Sequence, residues 1–265
     1  MPANRCPGIR SPLLRIVTAP LLGLVCTALV TTATASMTQD SAPARPVSIV
    51  PAPRDNAGAI ARQDECIRRA RESAPTRVVF VGDSITQSWE GPGQAVWAQS
   101  IAPLGALNLG NSGDRTEHVL WRLEQAPLTR LQPAHIVLLI GTNNLGHGTS
   151  NADETLKGIE TVAAMLHEQC PDADIHILEV FPRGETLNPM RGDICQINQA
   201  LRAWATSMNQ ALTDAGAPAR FHMNDLGDRF VLIDGRIPKA LMPDFLHLSP
   251  AGYQIWADAI VPNLK

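Results

Sequence analysis

A chain of 265 residues that is 45% hydrophobic has enough apolar side chain for the core of one large domain. Its 22 Lys and Arg against 25 Asp and Glu leave a formal charge of −3, without the basic footprint that a nucleic-acid partner requires. Beyond residue 35 no apolar run is long enough to span a bilayer as a helix.

The first segment has its own anatomy. Arg5, Arg10 and Arg15 precede an apolar stretch from Ile16 to Val30, and Ala33-Thr34-Ala35 offers small residues for cleavage. Residues 1–35 are therefore predicted to be a secretory signal peptide. The mature protein would be secreted or periplasmic, with no stable membrane insertion after removal. Loss of the three arginines and no acid would take the net charge from −3 to −6. Residues 36–54 carry Pro43, Pro46, Pro51 and Pro53 without any hydrophobic period, which predicts a disordered leader ahead of a domain at 55–265. Cys66, Cys170 and Cys195 follow. Their odd number allows at most one internal disulfide, and their spacing matches no metal motif.

Within the domain, Asp55 to Ser73 reads as a charged amphipathic helix with Ile60 and Ile67 on its apolar side, stopped by Pro75. Val78 to Val81 is an apolar, largely β-branched run entering Gly82-Asp83-Ser84, the pattern of a buried parallel strand that turns into a helix. Helical pieces with Trp89 and Trp97 are expected over 87–102, then a strand at 106–109 and a turn from Gly110 to Thr116. A helix over 116–124 leads to the clearest strand, 136–140, which stops at Gly141-Thr142-Asn143-Asn144 before a loop to Ser150. The spacing of Leu156, Ile159, Val162, Ala163 and Leu166 predicts a helix over 153–169. Strands at 175–180 and 219–223, a long helix over 193–215 and a closing helix over 250–261 complete the pattern. Alternation of this kind is that of an α/β protein with a parallel sheet covered on both faces.

In such sheets ligands sit beyond the carboxyl ends of the strands, and Ser84, Gly113, Asn143 and Arg183 each follow a predicted strand. Ser84 suits a helix N-cap as well as a nucleophile, since free N–H groups and the helix dipole favour either use. A serine nucleophile needs a base, and the base needs an acid to orient it. Of the seven histidines, His135, His167, His176 and His222 read as surface or strand-end residues, and His118 and His147 lack an acid at useful spacing. His247 has Asp244 three residues before it, which one turn of chain would place on the same side. Ser84, Asp244 and His247 are thus the candidate triad. The backbone N–H groups of Ser84 and Gly113 and the Asn143 amide are the candidate oxyanion donors. Ile85, Leu145, Phe245 and Leu246 flank these positions and are the candidate acyl-binding residues.

Gly82-Asp83-Ser84, Gly113, Gly141-Thr142-Asn143-Asn144 and Asp244-x-x-His247 resemble, in order, the four blocks of the SGNH (GDSL) hydrolases. Ala106-Leu107-Asn108, His118 to Leu123, Phe181 to Glu185 and Asp244 to Leu248 further resemble the esterases of the platelet-activating factor acetylhydrolase catalytic α-subunit type. The resemblance spans about residues 77–260, with Asn111-Ser112 standing where those relatives more often have Ile-Gly or Phe-Gly. It implies a three-layer α/β/α sandwich of flavodoxin-like type with five parallel strands. The implied activity is that of a serine esterase for short acyl groups, with acetyl the expected one, and it needs no metal or other cofactor. Acyl transfer by the same residues, and a non-catalytic ligand-binding module, are the alternatives. The expected partner is a small-molecule, carbohydrate or lipid ester, and the oligomeric state stays open, a homodimer included.

Overall fold

The computed structural model describes residues 45–265; the expected signal peptide and the first part of the expected leader, residues 36–44, lie outside them. Five parallel strands form one sheet: β1 (Val78–Gly82), β2 (Ala106–Gly110), β3 (His135–Leu139), β4 (Asp174–Leu178) and β5 (Phe221–Asn224). Their spatial order is β2-β1-β3-β4-β5, with Val78 opposite both Ala106 and His135. The order reverses at β1, so the carboxyl ends of β1 and β3 border the crevice where ligands enter doubly wound sheets.

Alternation along the strands divides the core into two layers. Val79, Val81, Ile136, Leu138, Ile175 and Ile177 face four helices: α1 (Ala57–Glu72), α3 (Thr116–Gln125), α5 (Ala152–Gln169) and α6 (Pro189–Asp214). Val78, Phe80, Val137, Leu139 and Leu178 face the short helical turns after β1 and the last helix, α7 (Pro250–Ile260). An aromatic cluster fills this second layer, with ring centroids 4.5 Å apart for Trp89 and Tyr253 and 5.0 Å for Trp89 and Trp256. Rings tilted at such distances attract beyond their buried area alone. Burial on both sides explains why β1 and β3 read as unbroken apolar runs.

Several sequence expectations need correction. Residues 45–54, assigned to a disordered leader, are packed on the domain: Val47–Ile49 is one turn of 3-10 helix, and Ser48 is fully buried. Ser48 Oγ donates to Glu154 O at 2.6 Å, and Thr116 Oγ1 donates to Ser48 O at 2.8 Å. On α1 the buried positions are Ala59, Gln63, Cys66 and Ala70, while Ile60 is exposed. The stretch expected as a loop after Asn144 begins inside a short helix, α4 (Thr142–Gly146). The long helix α6 starts four residues earlier than expected, with Asn188 accepting from Arg191 N as its N-cap and Pro189 in its first turn. Cys66, Cys170 and Cys195 are all free thiols.

Candidate active site

Chain direction brings the candidate residues to the carboxyl edge of the sheet. Strand β1 ends at Gly82, Asp83 caps the next turn by accepting from Ile85 N at 2.9 Å, and Ser84 opens the short helix α2 (Ser84–Gln87). The turn fits against the neighbouring strand because Gly110 has no side chain; a Cβ there would lie 2.3 Å from Gln87 N. Asn108, a polar residue inside buried strand β2, ties the same turn down: its amide donates to Thr86 O at 3.0 Å and its carbonyl accepts from Gly110 N at 2.8 Å. Tyr253 of α7 adds a hydrogen bond to Ile85 O at 2.7 Å. The turn that carries Ser84 is therefore held by its own Asp83, by β2 and by α7.

Between Pro243 and Pro250 the chain folds as a tight loop, with Phe245 at φ 61°. That loop returns His247 to the serine: Ser84 Oγ and His247 Nε2 are 2.9 Å apart, and His247 Nδ1 lies 2.6 Å from Asp244 Oδ2. The other oxygen, Asp244 Oδ1, accepts from Leu246 N at 3.1 Å and His247 N at 2.8 Å. Burial works to raise the Asp244 pKa, but the His247 ring and these backbone donors outweigh it, holding the carboxyl below the usual carboxylate range. An ionised acid on Nδ1 fixes the tautomer that presents Nε2 as an acceptor to the serine.

Two backbone N–H groups and one side-chain amide are the oxyanion donors expected from the sequence. Gly113 turns the chain at φ 75°, in the left-handed region that glycine enters without strain. Neither its N–H nor that of Ser84 has a backbone acceptor among the described residues. Asn143, in the first turn of α4, is buried and donates one amide hydrogen to Asp114 O at 2.9 Å, so the other remains for a ligand. Asn144 faces the other way: it accepts from Thr116 N at 3.1 Å and donates to Thr116 Oγ1 and Glu117 Oε2. It thus locks the turn after β2 onto α4. Of the candidate acyl-binding residues, Ile85, Phe245 and Leu246 pack with the aromatic layer and Leu145 with the other core cluster.

Charged residues that sequence spacing did not single out hold the turn in place. Asp114 is completely buried and receives Arg122 Nε at 3.1 Å and Nη2 at 2.9 Å on one oxygen. Arg54 reaches its other oxygen from the segment before α1, at 3.4 Å. Burial pushes the Asp114 pKa up to about 6 in spite of both arginines. Asp83, also fully buried, is pushed up to about 7 by burial, which the Ile85 N–H opposes only in part. Arg115 N donates to His118 Nδ1 at 2.9 Å, and burial lowers His118 to about 4. That ring is neutral and committed to the helix start. Among the described residues no group of His, Cys, Asp or Glu is arranged to hold a metal.

A doubly wound five-stranded sheet with a Ser–His–Asp hydrogen-bonded line at its carboxyl edge has the arrangement of a serine hydrolase. Residues 80–255 match the GDSL-like Lipase/Acylhydrolase family. The chain belongs to that family and is a carboxylic ester hydrolase. It is 40% identical over 176 residues to human platelet-activating factor acetylhydrolase IB subunit alpha1, an alignment covering 66% of this chain and 70% of the relative. Subunit alpha2 from Rattus norvegicus is 37% identical, with the same coverage. Among solved structures, a GDSL-like lipase from Bacteroides thetaiotaomicron superposes with a TM-score of 0.56 at 21% identity, covering 77% of this chain and 97% of that one. A carbohydrate esterase family 3 structure from Talaromyces cellulolyticus gives 0.51 at 18% identity, covering 71% and 96%. These two share the fold.

Proposed function

We propose that the protein hydrolyses short-chain acyl esters, acetyl esters first among them, with Ser84 as nucleophile. The observation that carries this reading is the contact of Ser84 Oγ with His247 Nε2 at 2.9 Å, beside two backbone N–H groups without backbone acceptors. In the proposed reaction Ser84 Oγ attacks the ester carbonyl carbon while its proton passes to His247 Nε2, and Asp244 stabilises the imidazolium. The carbonyl oxygen becomes an oxyanion received by Ser84 N, Gly113 N and Asn143 Nδ2. His247 then returns the proton to the departing alcohol as the C–O bond breaks. Water, activated by the same ring, releases the acid and restores the serine.

The short acyl group is supported by the dense packing of the residues that flank the site in the chain. Ile85 and Leu145 are buried in filled core clusters, and forcing added methylenes into packed space costs about 1–3 kcal/mol. The curated relatives are named as acetylhydrolases, which supports the same assignment. A series of p-nitrophenyl esters from acetate to dodecanoate tests it: kcat/KM is expected to fall steadily beyond propionate. Ser84→Ala is expected to lose on the order of 10⁶ in turnover, as for serine hydrolases that lose their nucleophile. Activity rising to octanoate would overturn the acetyl assignment. A Ser84→Ala protein that stays active would overturn the nucleophile.

A further inference from the structure

A cleft of about 480 Å³ opens beside the oxyanion turn, walled by Arg54, Asn56, Gln87, Ser112, Gly113 and His147. Gly113, a proposed oxyanion donor, is also part of the cleft wall, which puts the cleft at the edge of the proposed site. The Arg54 guanidinium is laid against this glycine: a Cβ at Gly113 would come within 3.0 Å of its Nη2. Only 9% of the Arg54 side chain is exposed.

The charges around the cleft do not balance. Arg62 is paired with Glu90 through two contacts of 2.9 Å, and Arg115 is paired with Glu117 at 2.5 Å. Glu90 also receives Arg69, but Arg69 and Arg68 are held in turn by Glu65 and Glu72, so that network balances. Asp114 is one carboxylate shared by two guanidiniums. Arg122 holds it at 2.9 and 3.1 Å, and Arg54 reaches it only at 3.4 Å. One positive charge is left over, and it is the one facing the cleft. Arg54 Nε is buried with no hydrogen-bond partner among the described residues. A buried, incompletely paired cation is costly, and an anion that accepts from it recovers that cost. The planar fork of a guanidinium suits carboxylate and phosphate oxygens. His147, also in the cleft wall, has its pKa lowered, first by burial and then by the fields of Arg115, Arg54 and Arg183, with Glu117 opposing them.

We infer that this cleft is an anion subsite in which Arg54 receives a carboxylate or phosphate carried by the alcohol portion of the ester. The inference rests on the short-acyl esterase reading, because a methyl-sized acyl group leaves only the alcohol to carry charge. It makes Arg54 a specificity determinant supplied by the segment that precedes α1, outside the matched residues 80–255.

The test uses two matched pairs of esters with the full chain: acetylated glucuronate against acetylated glucose, and acetylglycerol phosphate against acetylglycerol. In the unaltered protein kcat/KM is expected to favour the anionic member of at least one pair by about tenfold, the scale of one charge-assisted contact. The favoured pair tells carboxylate from phosphate. Arg54→Gln is expected to abolish that ratio, mainly through KM, whatever it does to the neutral ester, and Arg54→Lys to keep part of it. Equal rates within both pairs overturn the subsite. A ratio untouched by Arg54→Gln does the same, since Arg54 would then only brace the Gly113 turn. If Arg54→Gln does not fold, competition decides: glucuronate must inhibit p-nitrophenyl acetate hydrolysis at about tenfold lower concentration than glucose, and equal inhibition overturns the proposal. Failure to hydrolyse p-nitrophenyl acetate or any of the four esters brings down the esterase reading, and the subsite with it.

Discussion

Asn143 has one partner in the fold and, in the proposed reaction, a second in the oxyanion. One hydrogen holds Asp114 O at 2.9 Å, and this fixes the direction of the other. Asn143→Ala is expected to lower kcat by about 10²–10³-fold, the loss seen when one oxyanion donor is removed, with little change in KM. A raised KM at constant kcat would show that the side chain only binds substrate. The five residues of the proposed machinery stood out in the sequence because each belongs to a short local pattern: a strand running into Gly-Asp-Ser, a glycine turn, Gly-Thr-Asn-Asn, and an acid three residues before a histidine. Arg54 and Arg122 gave no such sign, and Asn144, although it ends the Gly-Thr-Asn-Asn pattern, gave none of its bonds to Thr116 and Glu117. Arg54 and Asp114 are 60 residues apart, and nothing local to either announces the pairing. Asn108 was a usable signal that went unread, since a polar residue inside a buried strand must have partners.

At the scale of elements, the turn between β2 and α3 depends on a buried ion pair. Arg122 also donates to Leu109 O at 2.9 Å, so it joins the end of β2 to the start of α3 through Asp114. Arg122→Met keeps the length of the side chain but leaves Asp114 with only the longer Arg54 contact. The expected cost is about 3–5 kcal/mol, the usual result of stranding one member of a buried pair. Urea unfolding measures it. The double variant with Asp114→Asn is expected to recover part of the loss, and a cost below about 1 kcal/mol would show that the turn does not need the pair. The regular elements were legible because two-sided burial writes continuous apolar strands, and α5 carries its stripe at helical spacing. The segment 45–54 was misread for a physical reason. Its order comes from tertiary contacts, such as Ser48 with Glu154 O and Ala52 N with Glu117 O, and not from any periodicity of its own. The apolar side of α1 was read only in part: Ile67 packs on the core as expected, but Ile60 is exposed, and the small residues Cys66 and Ala70 make the core contact.

For the whole molecule, two sets of buried groups oppose each other as pH changes. His118 and His176 are depressed by burial from 6.5 to about 4, so the unfolded chain takes their protons first, and stability falls as pH drops from about 6.5 towards 4. Asp83 and Glu179 are raised by burial to about 7, so the folded chain keeps their protons longer. Their contribution is complete below about pH 4 and is lost as pH rises through 7. Asp114, raised to about 6, adds to the carboxylate set, so between about pH 4 and 6.5 the two sets oppose each other; above 6.5 only the carboxylates still titrate, and stability is expected to decline towards pH 8. Asp83→Asn isolates one member. The amide keeps the acceptor for Ile85 N but cannot ionise, and Oδ2, the oxygen it replaces, has no partner among the described residues. Relative to the unaltered protein, the variant should gain about 1.4 kcal/mol per pH unit between pH 5 and 7 and nothing further above pH 8, while every other titration cancels in the difference. Urea midpoints of the two proteins at half-unit steps of pH measure this gain. Parallel curves across the range would mean that Asp83 is ionised in the fold throughout, and that the buried acid beside the serine carries its charge at neutral pH.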